Sequence, residues 1–158
     1  MIVSSVIGCV LFAGCEKKVD LAAVYGTNIK KVHLGYRVFM TSHNDIGPKD
    51  EASFKEYLKT DHNAVFRMKR VDVTPETVEE IFVSERDGQP FKIRYGLKGS
   101  QDHAIVFESV GVDGKRMIAF GNPIEVDEAE YEQQWVSQAK PVKVYGVDDF
   151  QKTSNLAP

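Results

Sequence analysis

From residue 19 to about residue 43, apolar side chains return every three or four positions: Leu21, Tyr25, Ile29, Val32, Tyr36, Phe39 and Met40. That spacing marks one face of an α-helix and predicts a long helix of about six turns. Lys30, Lys31 and Arg37 fall mostly off the stripe. Gly26 and Gly35 lie within it, each costing up to about 1 kcal/mol relative to alanine, so the packed stripe has to outweigh them. Residues that small also let another element approach closely. The segment His43-Asn44-Asp45-Ile46-Gly47-Pro48-Lys49 is dense in turn formers and ends the helix. Asp50 or Pro48 opens a short second helix with Phe54, Tyr57 and Leu58 on its apolar face. Residues 61–73 carry no decisive pattern. Thr74-Pro75-Glu76 predicts a third helix, capped by the threonine and begun by the proline, that ends near Phe82.

Beyond Phe82 the period changes to two. Phe91, Ile93 and Tyr95 alternate with Lys92 and Arg94, and residues 105–110 and 117–120 are further apolar runs. Asp113-Gly114 between the last two is a strong hairpin signal. Residues 86–121 therefore predict a three-stranded antiparallel meander. Residues 127–135 read as a closing acidic helix, 142–147 as a last strand, and 151–158 as a flexible tail. The expected fold class is α+β: a long N-terminal helix packed on a small antiparallel sheet, with short additional helices, in one domain over residues 19–150. No internal repeat or low-complexity tract interrupts it.

Composition sharpens the location more than the fold. The chain has 158 residues, 20 basic and 23 acidic, for a net charge of −3. It lacks the basic field that nucleic-acid binders use for phosphate contact, so no nucleic-acid partner is expected. Its hydrophobic content of 42% is ample for a folded core. Residues 1–15, MIVSSVIGCVLFAGC, carry no charge at all, and both cysteines, Cys9 and Cys15, lie there. The run is shorter than the roughly 20 residues a membrane-spanning helix needs, and it has the length of the apolar part of a secretory signal.

Phe12-Ala13-Gly14-Cys15, preceded by Leu11, resembles the lipobox of bacterial lipoproteins. Phe12 stands where leucine is commoner, and no Lys or Arg precedes the apolar run. The resemblance implies that residues 1–14 are a lipoprotein signal peptide and residues 15–18 the linker from an anchor. Cleavage would fall before Cys15, whose thiol carries a diacylglyceryl group. The mature chain would keep one cysteine and form no internal disulfide. Acyl chains on Cys15 would tether the domain to membrane lipid in the bacterial cell envelope, facing the periplasm. Glu16 leaves open whether the inner or outer membrane retains it. The alternative is a buried N-terminal strand or helix with Cys15 as a core thiol.

A second resemblance concerns the folded part. Arg86-Asp87-Gly88-Gln89-Pro90-Phe91-Lys92-Ile93-Arg94-Tyr95-Gly96 resembles the passage of type II secretion pseudopilins in which Asp, Gly and Pro precede an aromatic and a strand. Val106-Phe107-Glu108-Ser109-Val110-Gly111-Val112-Asp113-Gly114-Lys115 resembles their next strand and turn, and residues 28–36 match the helix. The order of elements is similar to that of type IV pilins. The whole is similar to the small lipoproteins with pilin-like domains of planctomycete-type bacteria. The calcium loop of many pseudopilins has no counterpart after Lys115, so no metal residues are implied.

Candidate chemistry elsewhere is sparse. His33, His43, His62 and His103 lack ligand spacing, and solvated or capping roles are expected, with His43 and His62 in loops. Glu125, Asp127, Glu128 and Glu130 read as an acidic helix start before a calcium site. Ser100, Asp102 and His103 are too close in sequence to assemble a triad and predict a polar turn. Arg86-Asp87-Gly88 reads as a turn, and Tyr131, Trp135 and Phe150 as core before contact patch. No catalytic, metal or cofactor-binding residue is assigned, and Cys15 is the one residue given a chemical role. The expected function is a non-catalytic structural or protein-interaction lipoprotein, with an unidentified envelope protein as partner, in a secretion or pilus-like assembly. The alternative is a periplasmic module that binds a peptide or glycan. An apolar surface patch would favour docking, a concave pocket with convergent polar groups ligand binding.

Overall fold

The structure, a computed structural model, describes residues 21–99 and 103–137. The long helix expected over 19–43 is not continuous. A single turn, α1 (Leu21–Val24), is followed by a break and then by α2 (Asn28–Ser42), with Thr27 extended at φ −107° and ψ 148°. The break is held from far along the chain. The Asn28 backbone N–H donates to Glu85 Oε1 at 2.6 Å, and its side-chain Nδ2 donates to the carbonyls of Glu80 at 3.1 Å and Val83 at 2.9 Å. A helix start leaves N–H groups unpaired and attracts negative charge, and Glu85 supplies both needs.

Within α2 the apolar stripe does what its spacing predicts. Ile29, Val32, Tyr36 and Met40 are buried. Gly35 lies where a Cβ would come within 3.1 Å of Leu58 Cδ2, so its small size admits the next helix closely. That helix, α3 (Glu51–Thr60), is capped reciprocally. Ser53 N–H donates to Asp50 Oδ1 at 2.7 Å and Asp50 N–H to Ser53 Oγ at 3.3 Å. The patternless stretch after it holds α4 (His62–Lys69), which starts on Asp61 through Ala64 N–H at 2.9 Å. Only Ala64 and Met68 of α4 are buried, too few to print a helical period on the sequence.

The third predicted helix is instead a run of turns ending in one 3-10 turn, Glu80–Phe82. Its bonds close over three residues, from Thr77 N–H to Thr74 O at 3.0 Å and from Glu80 N–H to Thr77 O at 3.1 Å. Val78 and Ile81, three apart, both point into the core, which suits that tighter winding.

The meander expected over 86–121 is present with shorter strands. It comprises β1 (Lys92–Ile93), β2 (Val106–Phe107) and β3 (Lys115–Ala119), and a fourth strand, β4 (Pro123–Asp127), extends it. The strands lie in the order β1-β2-β3-β4, all antiparallel. At the Asp-Gly turn Asp113 and Gly114 have φ 52° and 73°, and Val112 and Lys115 exchange both hydrogen bonds. This is the primed hairpin turn that the dipeptide signals. The acidic helix forms as α5 (Glu128–Ser137), with Asp127 Oδ1 accepting Glu130 N–H at 2.9 Å.

The fold is α+β, with helices against both faces of the sheet. Val106 and Ala119 join the core built on α2, α3 and α4, while their neighbours Phe107 and Ile118 pack with Val126 and Tyr131 of β4 and α5. Residues 1–14, the linker 15–18 with Cys15, the strand expected at 142–147 and the tail 151–158 lie outside the described residues.

Gly111 gives the first prediction. It sits at φ 80°, and a Cβ there would lie 2.2 Å from the Lys115 carbonyl oxygen. Gly111→Ala should cost about 2 kcal/mol or more in urea unfolding. Gly114→Asn, also at positive φ but facing open space, should stay within about 0.5 kcal/mol of the parent. Equal stabilities of the two variants would refute this account of the hairpin.

Candidate functional site

Two charged side chains are buried in the sheet region, and both are fully engaged by the chain itself. Glu108 Oε1 accepts the Ser84 hydroxyl at 2.8 Å, while Oε2 accepts Met117 N–H at 2.8 Å and Arg86 Nη1 at 3.2 Å. Arg86 Nη2 then donates to Glu125 Oε1 at 2.7 Å, and the Tyr131 hydroxyl donates to the Glu108 carbonyl at 2.8 Å. The cluster is a strut between the segment after the 3-10 turn, β3, β4 and α5. Arg94 donates to the carbonyls of Gln134 and Trp135, satisfying orphan groups near the end of α5, and lies 5.0 Å from the Phe107 ring. Asp87 closes a third link. Its Oδ2 accepts Gly111 N–H at 2.7 Å and its Oδ1 accepts Gln89 N–H at 2.9 Å. Partial burial pushes the Asp87 pKa up, but these N–H donors outweigh it and the net shift is downward.

A different arrangement lies where α1 turns into α2. A cleft of about 420 Å³ opens there, inside the usual size range of ligand pockets. Val24 and Tyr25 at the end of α1 form one wall, and Gly121 and Asn122 in the β3–β4 turn form the other. α2 supplies the floor through Lys30, His33, Leu34 and Arg37. Residues three and four apart share a helix face, so the two cations and the imidazole line up along the cleft. Lys30 Nζ donates to the Val24 carbonyl at 3.1 Å, which ties the floor to the α1 wall.

The electrostatics of this cleft are one-sided. None of the residues that line it is acidic, and among the described residues neither Lys30 nor Arg37 has an ion-pair partner. His33 is only 8% exposed, and its Nε2 is buried without a hydrogen-bond partner among the described residues. Burial lowers the His33 pKa below its ordinary value, the Arg37 charge adds to that, and the Phe120 backbone carbonyl opposes it. Contrast the groove beside α3, where Lys55 and Lys59 are neutralised by Glu51 and Glu79 at 2.6 to 2.7 Å. Two permanent cations, an imidazole whose Nε2 lacks a hydrogen bond among the described residues, and the amide of Asn122 give the α2 cleft a lining suited to negative charge.

The residues singled out from sequence fall as follows. Cys15, Ser100, Asp102 and Phe150 lie outside the described residues. His43 caps α2, its Nδ1 2.8 Å from the Phe39 carbonyl and its ring stacked on Phe39. His62 opens α4 and is not in a loop. The solvated role expected of His33 is wrong, because the helix turns it inward beside the β3–β4 turn. His103 sits in a bend with Nδ1 buried and unpartnered among the described residues. Glu125 pairs with Arg86, Glu128 with Arg116 at 3.0 Å, and Asp127 caps α5. Among the described residues no group of three His, Cys, Asp or Glu side chains is placed to hold a metal ion. Tyr131 is core and Trp135 packs 4.9 Å from Phe107. Lys30, His33 and Arg37 form a site that the sequence signals only through their three-and-four spacing on one helix. Tyr25 and Asn122 join them only through the fold.

The neutral state of His33 has a measurable consequence. A histidine whose folded pKa is depressed stabilises the fold fully above its unfolded value of 6.5 and loses that contribution as pH falls toward the folded value. Urea unfolding should therefore show stability declining as pH falls below about 6.5, and His33→Gln should flatten part of that decline. An equally steep decline in the variant would show that burial does not hold His33 neutral.

No family model matches this chain, and no curated protein or solved structure matches it, so the functional reading rests on the cleft and on the sequence.

Proposed function

We propose that this chain is a bacterial envelope lipoprotein, anchored to membrane lipid through acylated Cys15 and facing the periplasm, whose domain binds a small ligand in the α2 cleft without reacting with it. The observation that carries the reading is the cleft floor: Lys30 and Arg37 without carboxylate partners among the described residues, and His33 Nε2 buried without a hydrogen bond. Buried polar groups are normally paired, and one without a bond directly beside a cleft that two cations line supports a ligand site there. A non-catalytic role is favoured because no acidic side chain lines the cleft to orient His33 as a base. The anchor rests on the lipobox resemblance at Phe12-Ala13-Gly14-Cys15. Among the described residues no helix is long and apolar enough to cross a membrane.

A second reading keeps the domain as a docking unit of a secretion or pilus-like assembly. What favours it is α2 packed across β2 and β3 of an antiparallel meander, the arrangement that a pilin-like domain has. The most exposed apolar residues are Phe66, Val110 and Val136, on α4, the β2–β3 connection and α5.

The binding reading is tested by NMR titration with a panel of anionic, neutral and cationic small molecules. Shifts concentrated at Lys30, His33, Arg37 and Asn122 are expected for at least one member. Shifts confined to other surfaces would shift the weight to docking. For the anchor, metabolic labelling with a fatty acid should mark the protein and Cys15→Ser should abolish the label. Undiminished labelling of that variant would sink the lipoprotein reading.

A further inference from the structure

We propose that the cleft selects a small organic anion, with a carboxylate or phosphate head held by Lys30, His33 and Arg37 and an apolar body lying against Tyr25 and Leu34. The inference rests on the ligand-binding reading above and narrows it to one chemical class. Charge decides the head. Lys30 and Arg37 bring two positive charges into one concavity that holds no acidic side chain, so a cation is repelled there and an anion relieves the repulsion. The guanidinium offers a planar fork that matches a carboxylate or phosphate through two parallel bonds, and the ammonium adds a point charge. His33 completes the set. Its Nε2 is buried with no hydrogen bond among the described residues, so it would act as a charge-assisted donor to the anion once the ring turns toward the cleft and takes up a proton.

Shape decides the rest of the molecule. The half-buried Tyr25 ring and Leu34 give the cleft an apolar side that a bare inorganic ion would leave uncovered. At about 420 Å³ the cleft suits a single ring or short chain. The competing sites fail on the same criteria. In the groove beside α3 the lysines are matched by Glu51 and Glu79. In the groove beside His43, the one cation, Lys49, faces Asp50 at 3.9 Å. The buried carboxylate of Glu108 is saturated by Ser84, Arg86 and the Met117 amide.

The test uses the full chain in a neutral detergent and isothermal titration with phenyl phosphate, benzoate, benzyl alcohol and inorganic sulfate. Phenyl phosphate and benzoate should bind at least about tenfold more tightly than benzyl alcohol, and sulfate more weakly than phenyl phosphate. Arg37→Gln should weaken phenyl phosphate about tenfold or more, with Arg37→Lys falling between because it keeps the charge and loses the fork. Lys30→Gln, an exchange on the accessible side of the same face, provides a second variant should the Arg37 exchanges not fold. Binding of benzyl alcohol as tight as phenyl phosphate would overturn the anion proposal while leaving the cleft a ligand site. Failure of every probe, charged or neutral, would overturn the binding reading as well. Anionic phosphatidylglycerol vesicles that displace phenyl phosphate, where phosphatidylcholine vesicles do not, would identify the source of the head as a lipid; no displacement would identify it as a soluble anion.

Discussion

Asn28 donates three hydrogen bonds to residues 52 to 57 positions away, and on those bonds the layout of the whole N-terminal half depends. A continuous helix through residues 25–27 would gain about one backbone bond per residue, each worth about 1 kcal/mol net, less the roughly 1 kcal/mol that Gly26 costs inside a helix. Three tertiary bonds, one of them to a carboxylate, outweigh that. The helix therefore starts at Asn28, its N-terminus meets the 3-10 turn and Glu85, and Leu21 and Tyr25 before it pack separately against the core.

That bend makes the cleft. With α1 straight, Val24 and Tyr25 would lie on the helix axis beyond Asn28 and nothing would wall the Lys30, His33 and Arg37 face on that side. Bent, the end of α1 lines the cleft together with the β3–β4 turn, and Lys30 donates to the Val24 carbonyl beside it. The opposite wall is fixed by β3 and β4, whose register runs from Lys115↔Asp127 to Ala119↔Pro123 and is braced by the Glu108 and Arg86 strut. Walls tied by a hydrogen bond on one side and by strand pairing on the other, with positive charge free of carboxylate partners among the described residues between them, suit binding by a preformed site.

Much of this was legible in the sequence, and the limits have physical causes. The α2 stripe, the Asp50 cap, the meander and its Asp113-Gly114 turn, and the acidic helix all declare themselves through local period or turn chemistry. Gly26 and Gly35 look alike in the sequence; Leu58 packs on one and Asn28's distant partners break the chain at the other. Thr74-Pro75-Glu76 starts a helical turn as read, but Thr77 closes it over three residues, so the segment winds as 3-10. β4 begins with Pro123 after Gly121-Asn122, a turn signal that an apolar-run reading overlooks. Sequence period alone groups His33 with its basic neighbours, because it cannot tell that the β3–β4 turn covers that side of α2.

NMR titration of the His33 imidazole tests most directly whether the α2 cleft receives an anion beside it. Without ligand its pKa should lie below 6.5, the ordinary value. Saturating phenyl phosphate should raise it, since a neighbouring negative charge favours the protonated ring. A His33 pKa already at its ordinary value, or one that phenyl phosphate leaves unmoved, would contradict the account.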